Sequence, residues 1–109
     1  MPVDQAEDFV RVCSSDELGL GQTVGATIGD QPVCVARVEE GLFAFDDVCP
    51  HRGAKLSEGK LAGTTLTCAA HTWEFDVRDG ALLRLRAPAC LTMREVQERD
   101  GGIHVAVSS

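Results

Sequence analysis

Apolar residues occur along this chain in short segments of four to six residues, rich in Val, Ile, Leu and Phe. In Ile103-His104-Val105-Ala106-Val107 they follow a period of two, which is typical of a β-strand with one face toward a core. Gly, Asp and Ser separate the segments. The pattern predicts an all-β fold with strands at residues 9–13, 23–28, 33–38, 42–45, 65–68, 73–77, 91–96 and 103–107.

Turn residues between the segments predict how the strands connect. Glu39-Glu40-Gly41 and Asp100-Gly101-Gly102 predict hairpins, because Gly readily adopts the backbone conformation that tight turns require. Asp79-Gly80 predicts a further turn after the sixth segment. One helical turn is predicted to begin at Ser14 or Ser15, whose hydroxyl can cap the first backbone N–H groups.

The length and composition predict a single domain over residues 1–109. A hydrophobic content of 44% is enough for a modest core, which a bound metal would reinforce. The sequence contains no internal repeat, linker or low-complexity stretch that would divide it.

Two short pairs of cysteine and histidine are the main chemical feature. Cys49-Pro50-His51 is followed after sixteen residues by Cys68-Ala69-Ala70-His71. A thiolate and an imidazole on each of two loops can supply four metal ligands. The favoured interpretation is a [2Fe-2S] cluster with both cysteines on one iron and both histidines on the other. Zinc is the competing metal, although zinc modules usually pair Cys with Cys and His with His. Four unconnected structural residues are the third interpretation.

The mixed pairs resemble the ligand loops of the Rieske family. The resemblance extends to Gly53 after the first pair, to Gly59 and Gly63, and to Trp73-Glu74-Phe75-Asp76. It implies an antiparallel β-sandwich or barrel with a small cluster-binding subdomain made of two ligand loops, at about 49–54 and 68–73.

The same resemblance implies a cofactor and a role. One Rieske-type [2Fe-2S] cluster is expected per chain, held by Cys49, His51, Cys68 and His71. Such a cluster changes by one electron and has no open coordination site, so the protein is expected to carry electrons and not to be an enzyme. Residues expected around the cluster are Pro50, Arg52, Gly53, Ala70, Trp73 and, in a third covering loop, Pro88.

Several positions differ from the Rieske proteins of quinol-oxidising complexes. Those proteins bridge the loops with a disulfide where this chain has Ala54 and Ala70. They also place Ser and Tyr hydroxyls near the cluster sulfurs where this chain has Trp73 and Phe75. Without those donors the reduced cluster is less stabilised. The sequence is similar to a soluble Rieske ferredoxin of low potential.

The remaining motif residues indicate which kind of protein receives the electron. Ala70-His71-Thr72-Trp73-Glu74-Phe75, Leu56-Ser57-Glu58-Gly59 and Pro88-Ala89-Cys90-Leu91 resemble the ferredoxin component of toluene and related diiron monooxygenases. That resemblance implies electron transfer from an NADH-dependent flavin and iron-sulfur reductase to a diiron hydroxylase, in aromatic hydrocarbon catabolism. The alternatives are a ferredoxin of a Rieske ring-hydroxylating dioxygenase, or a small metal-binding or redox-sensing interaction module.

Charge narrows the possible partners and location. The formal net charge is −7, and residues 1–50 hold ten acids against two bases whereas residues 51–109 are nearly balanced. So acidic a chain is unsuited to nucleic acid. Its acidic half is either a solvated surface or a docking face. The polar N-terminus suggests neither a signal peptide nor a membrane anchor, so we expect a cytoplasmic monomer.

Other candidate residues are expected to be structural. A reducing compartment argues against disulfides, so Cys13, Cys34 and Cys90 are interpreted as small buried residues, the alternative for Cys90 being a position close to the cluster. His104 alternates with Ile and Val in its strand and is expected to face solvent. Trp73 is expected to pack around the cluster loops, the alternative being a role in docking.

Overall fold

A computed structural model of the chain describes residues 8–49, 55–68, 73–83 and 91–107. In these ranges the backbone forms β-strands and two 3₁₀ turns, Ser15–Glu17 and Leu56–Glu58. No helix of the described residues is both long and apolar enough to cross a membrane. The strands are β1 (Asp8–Ser14), β2 (Thr23–Ile28), β3 (Gln31–Val38), β4 (Gly41–Asp46), β5 (Lys60–Ala62), β6 (Thr65–Thr67), β7 (Glu74–Asp76), β8 (Leu82–Leu83), β9 (Met93–Arg94), β10 (Val96–Arg99) and β11 (Gly102–Val107).

Within the described residues the strands form three antiparallel sheets. Their orders are β1-β11-β10, β2-β3-β4-β9 and β5-β6-β7-β8. Most neighbours within a sheet are consecutive in the chain, as short hairpin connections require. The all-β, antiparallel prediction is confirmed.

Strand β3 contributes to two hydrophobic cores. Val33 and Val35 belong to a core with Ile103 and Val105 of β11. The alternate residues Cys34, Ala36 and Val38 belong to the second core, which includes residues of the third sheet. Successive side chains of a strand point to opposite faces, so β3 is covered on both. This explains why residues 33–36 are all buried although a half-exposed strand would alternate.

The predicted turns are present. Asp100 and Gly101, with φ of 53° and 70°, connect β10 to β11, and Gly41 begins β4 with φ of 136°. At the predicted helical turn, the Ser14 N–H donates to the Glu17 carboxylate over 2.7 Å. Local turn chemistry was therefore a sound guide to these connections.

Strand boundaries were predicted less well. Segment 91–96 is not one strand, because Met93–Arg94 pairs with β4 whereas Val96–Arg99 pairs with β11. The chain moves from one sheet to another at Glu95, whose carbonyl accepts from the Ala106 N–H at 2.9 Å. Strands β5 and β8 were not predicted, since two or three residues are too few to show a period.

His104 does not simply face solvent as expected. Its strand is the middle one of its sheet, and it lies opposite Arg11 on one side and Gln97 on the other. Residues directly opposite in antiparallel strands share a face, so both neighbours flank the imidazole. The residue is half-buried, and its Nε2 atom is buried with no hydrogen-bond partner among the described residues.

Candidate metal centre

Two cysteines of the predicted ligand set lie in one buried cluster. Cys49 follows β4 and Cys68 follows β6, and each is 1% exposed. Both belong to the second core, together with Leu56, Leu66 and Phe75. The fold thus gathers the two predicted sulfur ligands from separate sheets at the beginning of the two predicted loops. His51 and His71 lie outside the described residues.

Asp47 and Ser57 join the two ends of the first predicted loop. The Asp47 carboxylate accepts from the Ser57 N–H at 2.7 Å and from the Ser57 hydroxyl at 2.6 Å. The Asp47 N–H donates to the Pro32 carbonyl at 2.9 Å, and its side chain is buried. Neither Asp47 nor Ser57 was predicted from the sequence to act at the site. An acid two positions before a ligand, and the Ser of Leu56-Ser57-Glu58-Gly59, were the available signals.

The second predicted loop begins and ends on the β6–β7 pair. Thr67 lies opposite Glu74 in that pair, and the Cys68 N–H donates to the Trp73 carbonyl at 2.7 Å. Trp73 is half-buried and packs against the second core. Its ring centroid is 6.3 Å from that of Phe75, with the planes tilted by 57°. Trp73 therefore packs against the core that contains both cysteines, while its packing around the cluster loops and its part in docking stay predictions.

A third segment returns to this region at Leu91. Its N–H donates to the carbonyl of Gly80 at 2.8 Å, and Leu91 is buried in the second core. Gly80 has φ of 80°, and a Cβ there would lie 2.9 Å from the Leu91 carbonyl oxygen. The segment preceding Leu91 contains Pro88 and Cys90, which lie outside the described residues, as do Pro50, Arg52, Gly53 and Ala70.

Cys34 is buried in the same core, within strand β3 and outside both predicted ligand loops. Burial, and to a lesser extent the negative charge of Asp47, raises the pKa of the Cys34 thiol. A thiol that stays neutral is a weak nucleophile, so Cys34 is expected to be chemically inert. The expectation of a small buried residue is confirmed for Cys34, whereas Cys13 is only half-buried.

The donors in the described residues suit an iron-sulfur cluster. Cys49 and Cys68 supply two sulfurs within one apolar cluster, which matches the need for two thiolates on the same iron. Among residues 8–49, 55–68, 73–83 and 91–107, no three His, Cys, Asp or Glu side chains are grouped so as to hold a metal ion. Of the four predicted ligands, Cys49 and Cys68 lie in these ranges and the two histidines do not.

Comparison with known families identifies the fold around these cysteines. The model of the Rieske [2Fe-2S] domain matches residues 8–98. The chain belongs to the Rieske [2Fe-2S] domain family. The cofactor of this Rieske domain is therefore a [2Fe-2S] cluster of the Rieske type.

Individual relatives are ferredoxins of oxygenase systems. The Rieske domain is 35% identical to the ferredoxin component of the alkene monooxygenase system of Xanthobacter autotrophicus, over 67% of this chain and 61% of that protein. It is 36% identical to the ferredoxin component of biphenyl 2,3-dioxygenase of Rhodococcus jostii, over 79% of this chain and 78% of that one. The match to the first relative thus covers less than two thirds of its length.

A solved structure agrees with both sequence matches. The ferredoxin of carbazole 1,9a-dioxygenase from Nocardioides aromaticivorans superposes with a TM-score of 0.83 at 27% identity, over 92% of this chain and 98% of that one. The predicted Rieske fold is confirmed, and each of these three relatives is a ferredoxin of an oxygenase system.

Proposed function

We propose that this Rieske domain is the one-electron carrier of a multicomponent oxygenase and receives its electron from an NADH-dependent flavin reductase. The observation that supports this role best is the burial of Cys49 and Cys68 in one core at the start of two loops. In the proposal Cys49 and Cys68 hold one iron, and His51 and His71 hold the other. When bound, the cluster takes up and releases single electrons.

The protein residues have two tasks in this proposal. Buried apolar side chains around the cysteines, among them Leu56, Leu66 and Phe75, keep water from the sulfur ligands. Each histidine would bind iron through one ring nitrogen. The other ring nitrogen would face the partner, so the partner's cofactor would approach the cluster at the two histidine rings. Electron transfer would then take place at the loop tips.

A diiron hydroxylase is the partner we propose to receive the electron. The motif of Ala70, His71, Trp73 and Phe75 supports this choice, as does the 35% identity to the ferredoxin component of an alkene monooxygenase system. The oxygenase component of a ring-hydroxylating dioxygenase is the second candidate. It is favoured by the match to the biphenyl 2,3-dioxygenase ferredoxin, which covers more of both chains.

Electron transfer in a reconstituted system tests the role and the partner. The purified protein would be reduced by NADH through a flavin reductase and mixed with either a diiron hydroxylase or a Rieske dioxygenase component, while the cluster absorbance is followed. We expect rapid reoxidation and coupled product formation with the hydroxylase. Turnover with the dioxygenase alone would support the second candidate. A protein that is colourless and holds one zinc would overturn the carrier role.

We further propose that the protein is a cytoplasmic monomer with a single domain carrying one cluster. A flavin reductase that uses NADH works where NADH is available, which supports the location. Elution of the coloured protein at the size expected for 11.6 kDa would support the monomer. Elution at twice that size would contradict it.

A further inference from the structure

Asp47 and Ser57 together form a closure between the two ends of the first ligand loop. The carboxylate receives two hydrogen bonds from one residue, the first from its backbone N–H and the second from its hydroxyl, at 2.7 and 2.6 Å. Asp47 is only 3% exposed and Ser57 is half-buried, so both bonds are partly shielded from competing water. Hydrogen bonds to an ionised acceptor are shorter and stronger than hydrogen bonds between two neutral groups.

Neighbouring residues hold this pair on both sides. Asp47 follows directly after β4, and its N–H is bonded to the carbonyl of Pro32 in β3. Ser57 lies in the 3₁₀ turn whose first residue, Leu56, is fully buried in the same core as Cys49. The closure therefore ties both ends of the loop to the core.

Strand β2 passes beside the pair at Gly25, where the absence of a side chain leaves room for it. A Cβ added at Gly25 would lie 2.6 Å from the Ser57 hydroxyl oxygen and 2.9 Å from Oδ2 of Asp47. Any side chain larger than hydrogen would push the pair apart. Gly25 thus leaves the closure intact by having no side chain.

From this geometry we propose that Asp47 and Ser57 are positioning residues for the cluster, which fix the backbone that presents Cys49 two residues further on. The proposal rests on the proposed ligation by Cys49. A loop anchored at its base would keep the Cys49 thiolate at the position it needs as a ligand, which would slow loss of the bound cluster. Breaking the bonds between Asp47 and Ser57 should therefore speed loss of the cluster. It should also widen the range of geometries that the bound cluster adopts.

The test compares Ser57→Ala, which removes the hydroxyl bond, with Gly25→Ala, which displaces the pair from outside the loop. The holoprotein is mixed with an iron chelator while its visible absorbance is followed, and the g values of the reduced protein are recorded. We expect either variant to lose the cluster about ten-fold faster and to shift or broaden the g values. Asp47→Asn removes the charge and replaces one acceptor oxygen by an N–H donor, so the Ser57 hydroxyl can no longer donate to it. Its rate of cluster loss should therefore also rise, to a value between those of the unchanged protein and Ser57→Ala.

Two controls separate positioning from general stability. Gly19→Ala adds the same methyl group against only the flexible side chain of Gln22. Val105→Ala opens a cavity in the first core, away from both cysteines. Neither should change the g values. The proposal is overturned if Ser57→Ala and Gly25→Ala behave like the unchanged protein, or if Val105→Ala speeds cluster loss as much.

Cys49→Ala distinguishes failure of this proposal from failure of the ligand assignment. Loss of the cluster in Cys49→Ala together with an unaffected cluster in Ser57→Ala would overturn the positioning role alone. An unaltered cluster spectrum in Cys49→Ala would overturn the ligand assignment, and the positioning role with it.

Discussion

The backbone N–H of Cys68 donates to the carbonyl oxygen of Trp73 over 2.7 Å, and this bond closes the second predicted ligand loop at its base. The first loop is closed differently, by the side chain of Asp47 on Ser57. A backbone bond survives most substitutions, whereas a side-chain bond is lost with one. Point mutations should therefore loosen the first loop more readily than the second.

Removal of the metal should affect the loops before the sheets. We expect apo-protein to keep much of its β-sheet signal while residues 49–54 and 68–73 lose protection from hydrogen exchange, because those loops gain their order from the cluster. The Cys68 amide reports on the base of the second loop directly. Exchange measured with and without cluster checks this, and full protection of both loops without iron would contradict it.

Replacement of the histidines tests the ligand assignment. His51→Cys or His71→Cys should lose the cluster or lower its potential, because a thiolate adds negative charge to the cluster. His104→Ala is the control, since its half-buried ring lies between β1 and β10 in another sheet. It should leave the visible spectrum unchanged. Equal loss of colour in all three variants would refute the assignment.

The reduction potential should be near the negative end of the Rieske range, about −100 mV or lower. Phe75 is fully buried in the core that contains both cysteines, at a position where high-potential relatives carry Tyr. If the new hydroxyl reaches a cysteine sulfur, Phe75→Tyr should raise the potential by up to about 65 to 130 mV, the limit for a hydrogen bond to sulfur that strengthens fully on reduction.

Voltammetry between pH 6 and 9 measures this shift. Phe9→Tyr in β1 is a matched control outside that core and should leave the potential unchanged. A midpoint of the unchanged protein well above zero, or one that falls steeply across neutral pH, would contradict the low-potential assignment.

Salt should reveal whether the acidic half guides docking. If it does, reduction by the flavin reductase slows steeply as rising salt shortens the Debye length from about 30 to 10 Å. Arg52→Glu beside a proposed ligand should change the transfer rate more than Glu39→Gln, since Glu39 is exposed in the turn between β3 and β4. Stopped-flow rates over a salt series check both, and a flat profile would favour a solvated surface.

Gly59 lies where the ends of the two loops meet. A Cβ there would lie 2.1 Å from the carbonyl oxygen of Thr67, the residue before Cys68. Gly59→Ala must therefore push the backbone after the first loop away from the backbone before the second. We expect a loss of about 1–3 kcal/mol in the free energy of unfolding and a weaker hold on the cluster.

Thermal unfolding and chelator-driven cluster loss measure the two effects of Gly59→Ala. Glu58→Ala changes the neighbouring exposed side chain and should alter the unfolding free energy by no more than about 0.5 kcal/mol. A Gly59→Ala protein as stable as the unchanged one would show that the close approach to Thr67 is unimportant.

Local signals in the sequence were enough for most of the fold class. The alternation in β11 and the Asp100-Gly101 turn each depend on a few adjacent residues, and both were predicted correctly. The mixed Cys/His pairs led to the Rieske family because their spacing is itself a local feature. The histidine ligands stay a prediction, since they lie outside the described residues.

What the sequence alone determined is therefore where strands and turns occur and which chemistry the loops offer. Only the tertiary structure decided that β3 is buried on both faces, that the chain changes sheets at Glu95, and that His104 is flanked by two strands. The same holds for the bonds of Asp47 to Ser57 and the space left by Gly25. The reason is physical: backbone periodicity and turn preference act between near neighbours, whereas burial and hydrogen-bond partners depend on segments far apart in the chain.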